Sequence, residues 1–280
     1  MRILQTSAQA PDGLRLHYQA WEPDGKPRAV VALVHGLGEH VARHAALGEA
    51  LVRADFAMMG FDLRGHGRSD GLRGDAASYE LLLDDIDALM RWVQLSHPRL
   101  PVFLYGHSLG GSLVLNYTLR RARRLRGVIA SSPWLRTVVR LTPLQALLSR
   151  TVAPLFPTIR QKWGGPSALS RNQEIGDAFE RDPLSHGLIS GRMYMDCASA
   201  GEWALEHANK FRVPLLLMHG TADRLTSWEA SREFAQRAGP GVTWRKWEGF
   251  YHELHNDVQG DQVRKVILNW MKRRLESPRR

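Results

Sequence analysis

Cysteine is nearly absent from this chain of 280 residues, which holds only Cys197. A single cysteine excludes an internal disulfide and is typical of proteins in a reducing compartment. Long apolar runs are missing too, and no segment approaches the roughly 20 residues of a membrane-spanning helix. The segment from Met1 to Asp12 is polar where a signal peptide has its apolar centre. These absences predict a cytoplasmic protein without a membrane span, in which Cys197 is a buried packing residue.

The sequence also lacks the patterns that bind nucleic acids or metals. Its net charge is +10, yet no zinc-ligand spacing, recognition helix or interleaving of aromatic and basic residues accompanies that charge. His35 and His40 have no acidic or cysteine partner at ligand spacing. We therefore expect no metal and no nucleic-acid partner, while a weak attraction to anionic lipid surfaces stays open. Two basic clusters carry much of the charge: Arg120, Arg121, Arg123, Arg124 and Arg126, and Lys272, Arg273, Arg274, Arg279 and Arg280.

What the sequence does contain is a strand, a sharp turn and a helix centred on Ser108. The apolar run 102–105 predicts a buried strand, and apolar residues recur at helical spacing over 113–117. Gly106 and Gly110 give the turn a Gly-x-Ser-x-Gly pattern, which is typical of a turn too tight for side chains at the glycines. The pattern predicts a serine hydroxyl at the apex of the turn, facing solvent or substrate.

A serine in such a turn is a weak nucleophile unless a base accepts its proton and a third group orients the base. Two later strand patterns, 213–218 and 242–247, lead to Asp223 and His252. Because the carboxyl ends of parallel strands meet at one edge of a sheet, we expect Ser108, His252 and Asp223 to be nucleophile, base and orienting acid. The alternatives, which we disfavour, are His107 or His255 as the base and Glu248, Glu253 or Asp257 as the acid.

The same edge is expected to supply two backbone donors for the oxyanion of an acyl-transfer reaction. The run 29–34 is apolar on both faces, as in a central parallel strand, and it leads into a glycine-rich loop that contains Leu37. Leu109 opens the helix after the nucleophile. The backbone N–H groups of Leu37 and Leu109 are therefore the predicted oxyanion hole.

Strand and helix patterns alternate along most of the chain, which predicts an α/β fold with a mostly parallel central sheet and helices on both faces. The segment 134–195 interrupts the alternation, with no strand run and several prolines. We expect a core formed by 1–133 and 196–280, with 134–195 as a helical cap. The apolar stretches 141–148 and 152–156 are expected to pack the cap on the core, to line an acyl-chain tunnel or to face a lipid surface.

Four motifs resemble those of the monoacylglycerol lipase and lysophospholipase branch of the α/β-hydrolases. They are His35-Gly36-Leu37-Gly38-Glu39-His40, Gly106-His107-Ser108-Leu109-Gly110-Gly111, His219-Gly220-Thr221-Ala222-Asp223-Arg224 and Tyr251-His252-Glu253-Leu254-His255. The resemblance implies the α/β-hydrolase fold, cleavage of single-chain glycerol esters, no cofactor, and a cap that forms the lipid entrance. It also implies that Glu180, in a cap segment, contacts the glycerol head group.

The motifs and the resemblance together predict a serine carboxylester hydrolase that cleaves monoacylglycerols to fatty acid and glycerol through a covalent acyl-enzyme. The expected partner is a small lipid ester, with peripheral membrane contact through the cap. A lysophospholipase and a short- or medium-chain carboxylesterase are the nearest alternatives. A serine aminopeptidase would need an acidic cluster near the cap, and a non-catalytic binding module would be marked by loss of a triad residue. Acyl length and oligomeric state stay open.

Overall fold

The computed structural model describes residues 1–121, 124–138 and 158–277. The predicted apolar stretches 141–148 and 152–156 lie outside the described residues, as do Arg123, Arg279 and Arg280 of the basic clusters. The statements below on structure concern the described residues.

An eight-stranded sheet lies at the centre of the chain, and two short strands form a second sheet. The strands are β1 (Arg2–Gln9), β2 (Arg15–Glu22), β3 (Ala29–Val34), β4 (Phe56–Phe61), β5 (Val102–His107), β6 (Gly127–Ser131), β7 (Arg160–Lys162), β8 (Leu188–Ser190), β9 (Leu215–Gly220) and β10 (Val242–Trp247). The central sheet has the order β1-β2-β4-β3-β5-β6-β9-β10. Only the β1–β2 and β2–β4 pairs are antiparallel there, so the predicted mostly parallel sheet is confirmed.

Helices connect the parallel strands. The α-helices of the described residues are α1 (Ala45–Val52), α2 (Tyr79–Ser96), α3 (Leu109–Arg121), α4 (Gln173–Arg181), α5 (Gly191–Glu206), α6 (Trp228–Ala238) and α7 (Gly260–Glu276). Serine side chains cap three of them, because the Oγ atoms of Ser78, Ser190 and Ser227 accept N–H groups in the first turns of α2, α5 and α6. Across 1–121, 124–138 and 158–277, no helix has both the length and the apolar character to cross a membrane.

The central sheet separates two apolar layers. On β3, Val30, Ala32 and Val34 face a cluster shared with α2, α3, α5 and α6, while Val31 and Leu33 face a second cluster shared with α1 and α7. The alternation follows from the two-residue repeat of a strand whose faces are both covered. Because helices cover both faces, the carboxyl ends of the strands remain as the edge where polar loops gather.

The segment 134–195 carries short strands as well as helices. β7 and β8 lie in it and pair antiparallel, so the interpretation of this segment as free of strands is wrong. Each strand has three residues, too few to produce a visible alternation in the sequence. The predicted boundary at residue 195 falls inside α5, which packs on the core where Asn116 Nδ2 of α3 donates to the carbonyl oxygen of Ala200 over 3.1 Å.

Candidate active site

Ser108 occupies the turn between β5 and α3 with a φ of +55°, in the left-handed region that side-chain-bearing residues seldom adopt. The glycines around it allow this turn. A Cβ on Gly106 would lie 2.2 Å from the carbonyl oxygen of Gly110, and a Cβ on Gly110 would lie 2.1 Å from that of Val34. Both contacts are too short for real atoms, so the steric cause predicted for the Gly-x-Ser-x-Gly pattern is confirmed.

Asp223 lies in the loop after β9, and its carboxylate is held from two sides. Oδ1 accepts the backbone N–H groups of Leu225 and Thr226 over 2.8 and 3.0 Å. Oδ2 accepts Thr226 Oγ1 over 2.9 Å and His252 Nδ1 over 2.7 Å. Burial alone would raise the pKa of Asp223, but His252 and the hydrogen bonds outweigh it and hold that pKa well below its ordinary value.

His252 follows β10 and turns its ring toward Asp223. Ser132 Oγ, just after β6, donates to the carbonyl oxygen of His252 over 2.8 Å, which holds the loop in place. Burial acts to lower the pKa of His252, but the adjacent Asp223 carboxylate raises it above the ordinary value. Since Nδ1 donates to the carboxylate, the neutral ring keeps the Nε2 lone pair free to accept a proton.

Ser108 and His252 line one cavity of about 240 Å³, between the sheet edge and the segment 134–195. The walls are mainly apolar and aromatic, with Leu37 from the core and Trp134, Trp163, Leu169 and Phe179 from the segment. Among the described residues, Ser108 Oγ has no hydrogen-bond partner. Contacts between catalytic groups are often long without substrate and shorten when it binds.

The predicted oxyanion donors are free. Neither the N–H of Leu37 nor that of Leu109 has an acceptor within the described part of the chain. The loop of Leu37 passes close to the serine, because a Cβ on Gly36 would lie 3.0 Å from Ser108 Cβ. Glu39 Oε1 accepts the N–H of Gly36 over 2.5 Å and holds the loop there. Two backbone N–H groups without an acceptor among the described residues therefore lie close to Ser108, where an oxyanion hole would be needed.

The two alternative bases, His107 and His255, are buried beside other histidine rings. His107 lies beside His252, with 4.8 Å between the ring centroids, and burial lowers its pKa to about 3. His255 stacks on His44 with ring centroids 4.5 Å apart, and burial holds its pKa well below the ordinary value. Within the described part of the chain, neither ring makes a hydrogen bond to a carboxylate like the one between His252 and Asp223.

The alternative acids are engaged elsewhere. Asp257 pairs with Arg171, and Glu253 pairs with Arg43 over 2.9 Å. Glu248 is exposed and pairs with Lys246. Asp223 is thus the acid of this set that reaches His252.

Several contacts join the segment 134–195 to the loops of the sheet edge, and three of them lie near the cavity. His40 Nε2 lies 2.6 Å from Asp182 Oδ2. The N–H of His186 donates to the carbonyl oxygen of Gly38 over 2.8 Å, and the N–H of Glu253 donates to the carbonyl oxygen of Leu169 over 2.7 Å. Glu180, which the resemblance implies as a contact for the glycerol head group, also lies on this segment: it is exposed near the end of α4 and lines the cavity.

Sequence reasoning missed two side chains of the site. His219 Nε2 lies 3.1 Å from Asp223 Oδ2, and Glu39 supports the loop before Leu37. His219 had a signal, because it is a polar residue inside the apolar run of β9. Glu39 had none beyond its place between a glycine and a histidine, since its role depends on how the loop folds back.

Comparisons with known proteins agree with the fold. Residues 25–259 match the Hydrolase_4 family, described as serine aminopeptidase S33. The chain is 32% identical over 267 residues to an uncharacterized abhydrolase domain-containing protein of Dictyostelium discoideum; the match covers 94% of the chain but only 28% of that protein.

Relatives of similar length carry lipase names. A monoacylglycerol lipase of Mycolicibacterium smegmatis is 30% identical over 261 residues, covering 92% of this chain and 93% of the relative. The crystal structure of a Paleococcus ferrophilus monoacylglycerol lipase matches with a TM-score of 0.83 and 32% identity, over 98% of this chain and 100% of that one. With the family match across most of its length and the α/β-hydrolase architecture, this chain belongs to the Hydrolase_4 family of serine hydrolases.

Proposed function

We propose that this serine hydrolase cleaves monoacylglycerols to fatty acid and glycerol, with Ser108, His252 and Asp223 as its catalytic triad. The observation that carries the proposal is the hydrogen bond of 2.7 Å from His252 Nδ1 to Asp223 Oδ2, behind a cavity that Ser108 also lines. Two relatives that match this chain over nearly their whole length are named monoacylglycerol lipases, which supports the choice of substrate.

In the proposed reaction, Ser108 Oγ attacks the acyl carbon while His252 Nε2 accepts its proton. The oxyanion accepts the N–H groups of Leu37 and Leu109, and Asp223 stabilises the imidazolium. His252 then gives the proton to the glycerol oxygen as the ester bond breaks, which leaves the acyl group on the serine. His252 then takes a proton from water as the water oxygen attacks this ester, and returns that proton to Ser108 Oγ as the bond to the serine breaks and the fatty acid leaves.

The pH dependence of the reaction follows from the base. His252 accepts a proton only when neutral, and the Asp223 carboxylate raises the pKa of His252 above 6.5. We therefore expect kcat/KM for a monoacylglycerol to fall on the acid side with a midpoint above pH 6.5. An acid limb centred below pH 6.5 in the measured profile would contradict this assignment.

Glu180 is proposed to bind the glycerol hydroxyls. It is an exposed carboxylate on the cavity wall, which otherwise is mainly apolar. Because a hydrogen bond to a charged group contributes about 1.5 to 3 kcal/mol, Glu180→Ala should lower kcat/KM for monoacylglycerols about tenfold or more. A short nitrophenyl ester, which has no glycerol, should be hydrolysed as before. Glu206→Ala, on the exposed side of α5, is the matched control, and an equal loss with both substrates would refute the role.

The segment 134–195 is proposed to be the cap, to form the lipid entrance and to touch the membrane. In this segment Ile159 is 60% exposed, and it precedes the exposed cations Arg160 and Lys162, of which Lys162 lines the cavity. An apolar side chain next to cations suits an anionic lipid surface. Ile159→Asp should weaken binding to phosphatidylglycerol vesicles at least tenfold in a flotation assay. Leu95→Asp, at the opposite edge of the sheet, should leave vesicle binding unchanged. An equal loss of binding in the Ile159 and Leu95 variants would contradict the proposed contact.

A substrate panel tests the proposed activity. The purified protein should hydrolyse 1-monoacylglycerols faster than diacylglycerols, lysophospholipids, short esters and aminoacyl amides. Among the described residues of the cavity wall, Glu39 and Glu253 already have hydrogen-bond or ion-pair partners, so Glu180 is the one carboxylate available to a substrate. An aminopeptidase would need an acidic cluster to hold the substrate amine, and a single carboxylate argues against that activity. Faster hydrolysis of a lysophospholipid or an aminoacyl amide than of a monoacylglycerol would contradict the proposed substrate.

A further inference from the structure

His219 is a fully buried histidine with partners on both ring nitrogens. Nε2 lies 3.1 Å from Asp223 Oδ2 and 3.2 Å from the carbonyl oxygen of Thr226. Nδ1 lies 2.7 Å from Ser231 Oγ of α6. One carboxylate oxygen of Asp223 is therefore shared by two histidines, since His252 Nδ1 reaches the same atom over 2.7 Å.

The partners assign the tautomer of the His219 ring. A carboxylate and a carbonyl face Nε2, and both accept hydrogen bonds, so Nε2 carries the proton. The neutral ring then has its lone pair on Nδ1, and the Ser231 hydroxyl donates to it. The reverse tautomer would turn a lone pair toward the Asp223 carboxylate and leave repulsion in place of a hydrogen bond.

We propose that His219 is a positioning residue that fixes the rotation of the Asp223 carboxylate toward His252, with Ser231 holding His219 in the required tautomer. The inference rests on the proposed function, because the rotation of Asp223 affects turnover only if His252 is the base. Two backbone N–H groups hold Oδ1, whereas Oδ2 depends on side chains. Without the His219 donor, the carboxylate can turn about its terminal torsion, which has a broad energy well.

Loss of a positioning residue should lower kcat and leave KM unchanged. His219 does not line the cavity within the described residues, so its loss should leave substrate binding unchanged. Partners of this kind typically contribute 10- to 100-fold to activity at metal sites, and we expect a similar effect here. His219→Leu should lower kcat for a monoacylglycerol at least about tenfold with an unchanged KM.

Rescue by a donor distinguishes positioning from packing. His219→Gln places an amide N–H near the former Nε2 and should retain most of kcat, whereas His219→Asn reaches only the Nδ1 side and should behave like His219→Leu. Ser231→Ala should lower kcat in the same direction by a smaller factor. Equal losses in the Gln and Asn variants, or full activity in His219→Leu, would overturn the inference. If His219→Leu fails to fold, the Gln and Asn variants carry the comparison.

A double-mutant cycle separates this inference from the proposed function. In an Asp223→Asn background, His219→Leu should cause no further loss of kcat, because the carboxylate it positions is gone. A further tenfold loss there would show that His219 acts by another route and would overturn the inference. If Asp223→Asn is itself fully active, the proposed triad fails. If Asp223→Asn is inactive and His219→Leu retains the wild-type kcat, the positioning role alone fails.

Discussion

Ser108→Ala is expected to lower kcat for monoacylglycerol hydrolysis by at least about a thousandfold. The alanine variant has no oxygen to attack the acyl carbon, so only binding and the oxyanion donors would remain to act on the substrate. The measurement is the initial rate of fatty-acid release under saturating substrate. Ser185→Ala is the matched control, because Ser185 also lines the cavity but donates to Asp182.

The same substitution should leave the fold intact. Among the described residues, Ser108 Oγ has no hydrogen-bond partner, so its removal breaks no bond within them. The φ of +55° strains alanine and serine alike. Thermal unfolding of Ser108→Ala should therefore match that of the wild type within a few degrees. A folded variant that kept more than a tenth of the rate would refute Ser108 as the nucleophile.

Asp223→Asn is expected to lower kcat by about 10⁴-fold, as the corresponding change does in a serine protease. An asparagine that turns its NH₂ group toward His252 makes Nδ1 an acceptor and places the ring proton on Nε2. A histidine in that tautomer cannot take the proton of Ser108.

The control for Asp223→Asn is Asp257→Asn. Asp257 lies in the same stretch as His252 but pairs with Arg171, so kcat should change little. Rates of both variants, measured beside the wild type at one pH, decide between the two acids. An Asp257 variant that loses more activity than the Asp223 variant would reverse the assignment.

Local patterns allowed much of the fold to be predicted from the sequence. The turn at Ser108 depends on glycines only a few residues away, and their close contacts explain why the pattern is recognisable. Most of the parallel strands are apolar runs that end in polar loops, so a mostly parallel sheet and an edge where those loops meet could be predicted, whereas the order of the strands in the sheet could not. The three-residue strands β7 and β8 had no comparable signal, since a few residues cannot show an alternation.

The relations between side chains in the site were harder to predict. Among the histidines of the site, His107, His252 and His255 look alike in sequence, and only the fold shows that His252 reaches Asp223 while burial suppresses protonation of the other two. The contact of His219 with Asp223 spans only four residues, but it depends on the way the loop after β9 turns back. Such contacts follow from tertiary structure, which periodicity does not encode.

Labelling with a fluorophosphonate, followed by mass spectrometry of the peptides, tests the central claim of a serine nucleophile most directly. We expect one phosphonyl group per chain, on Ser108, with the loss of monoacylglycerol hydrolysis proportional to the fraction labelled. A label on another residue, or full hydrolysis by protein that is fully labelled at Ser108, would contradict the account.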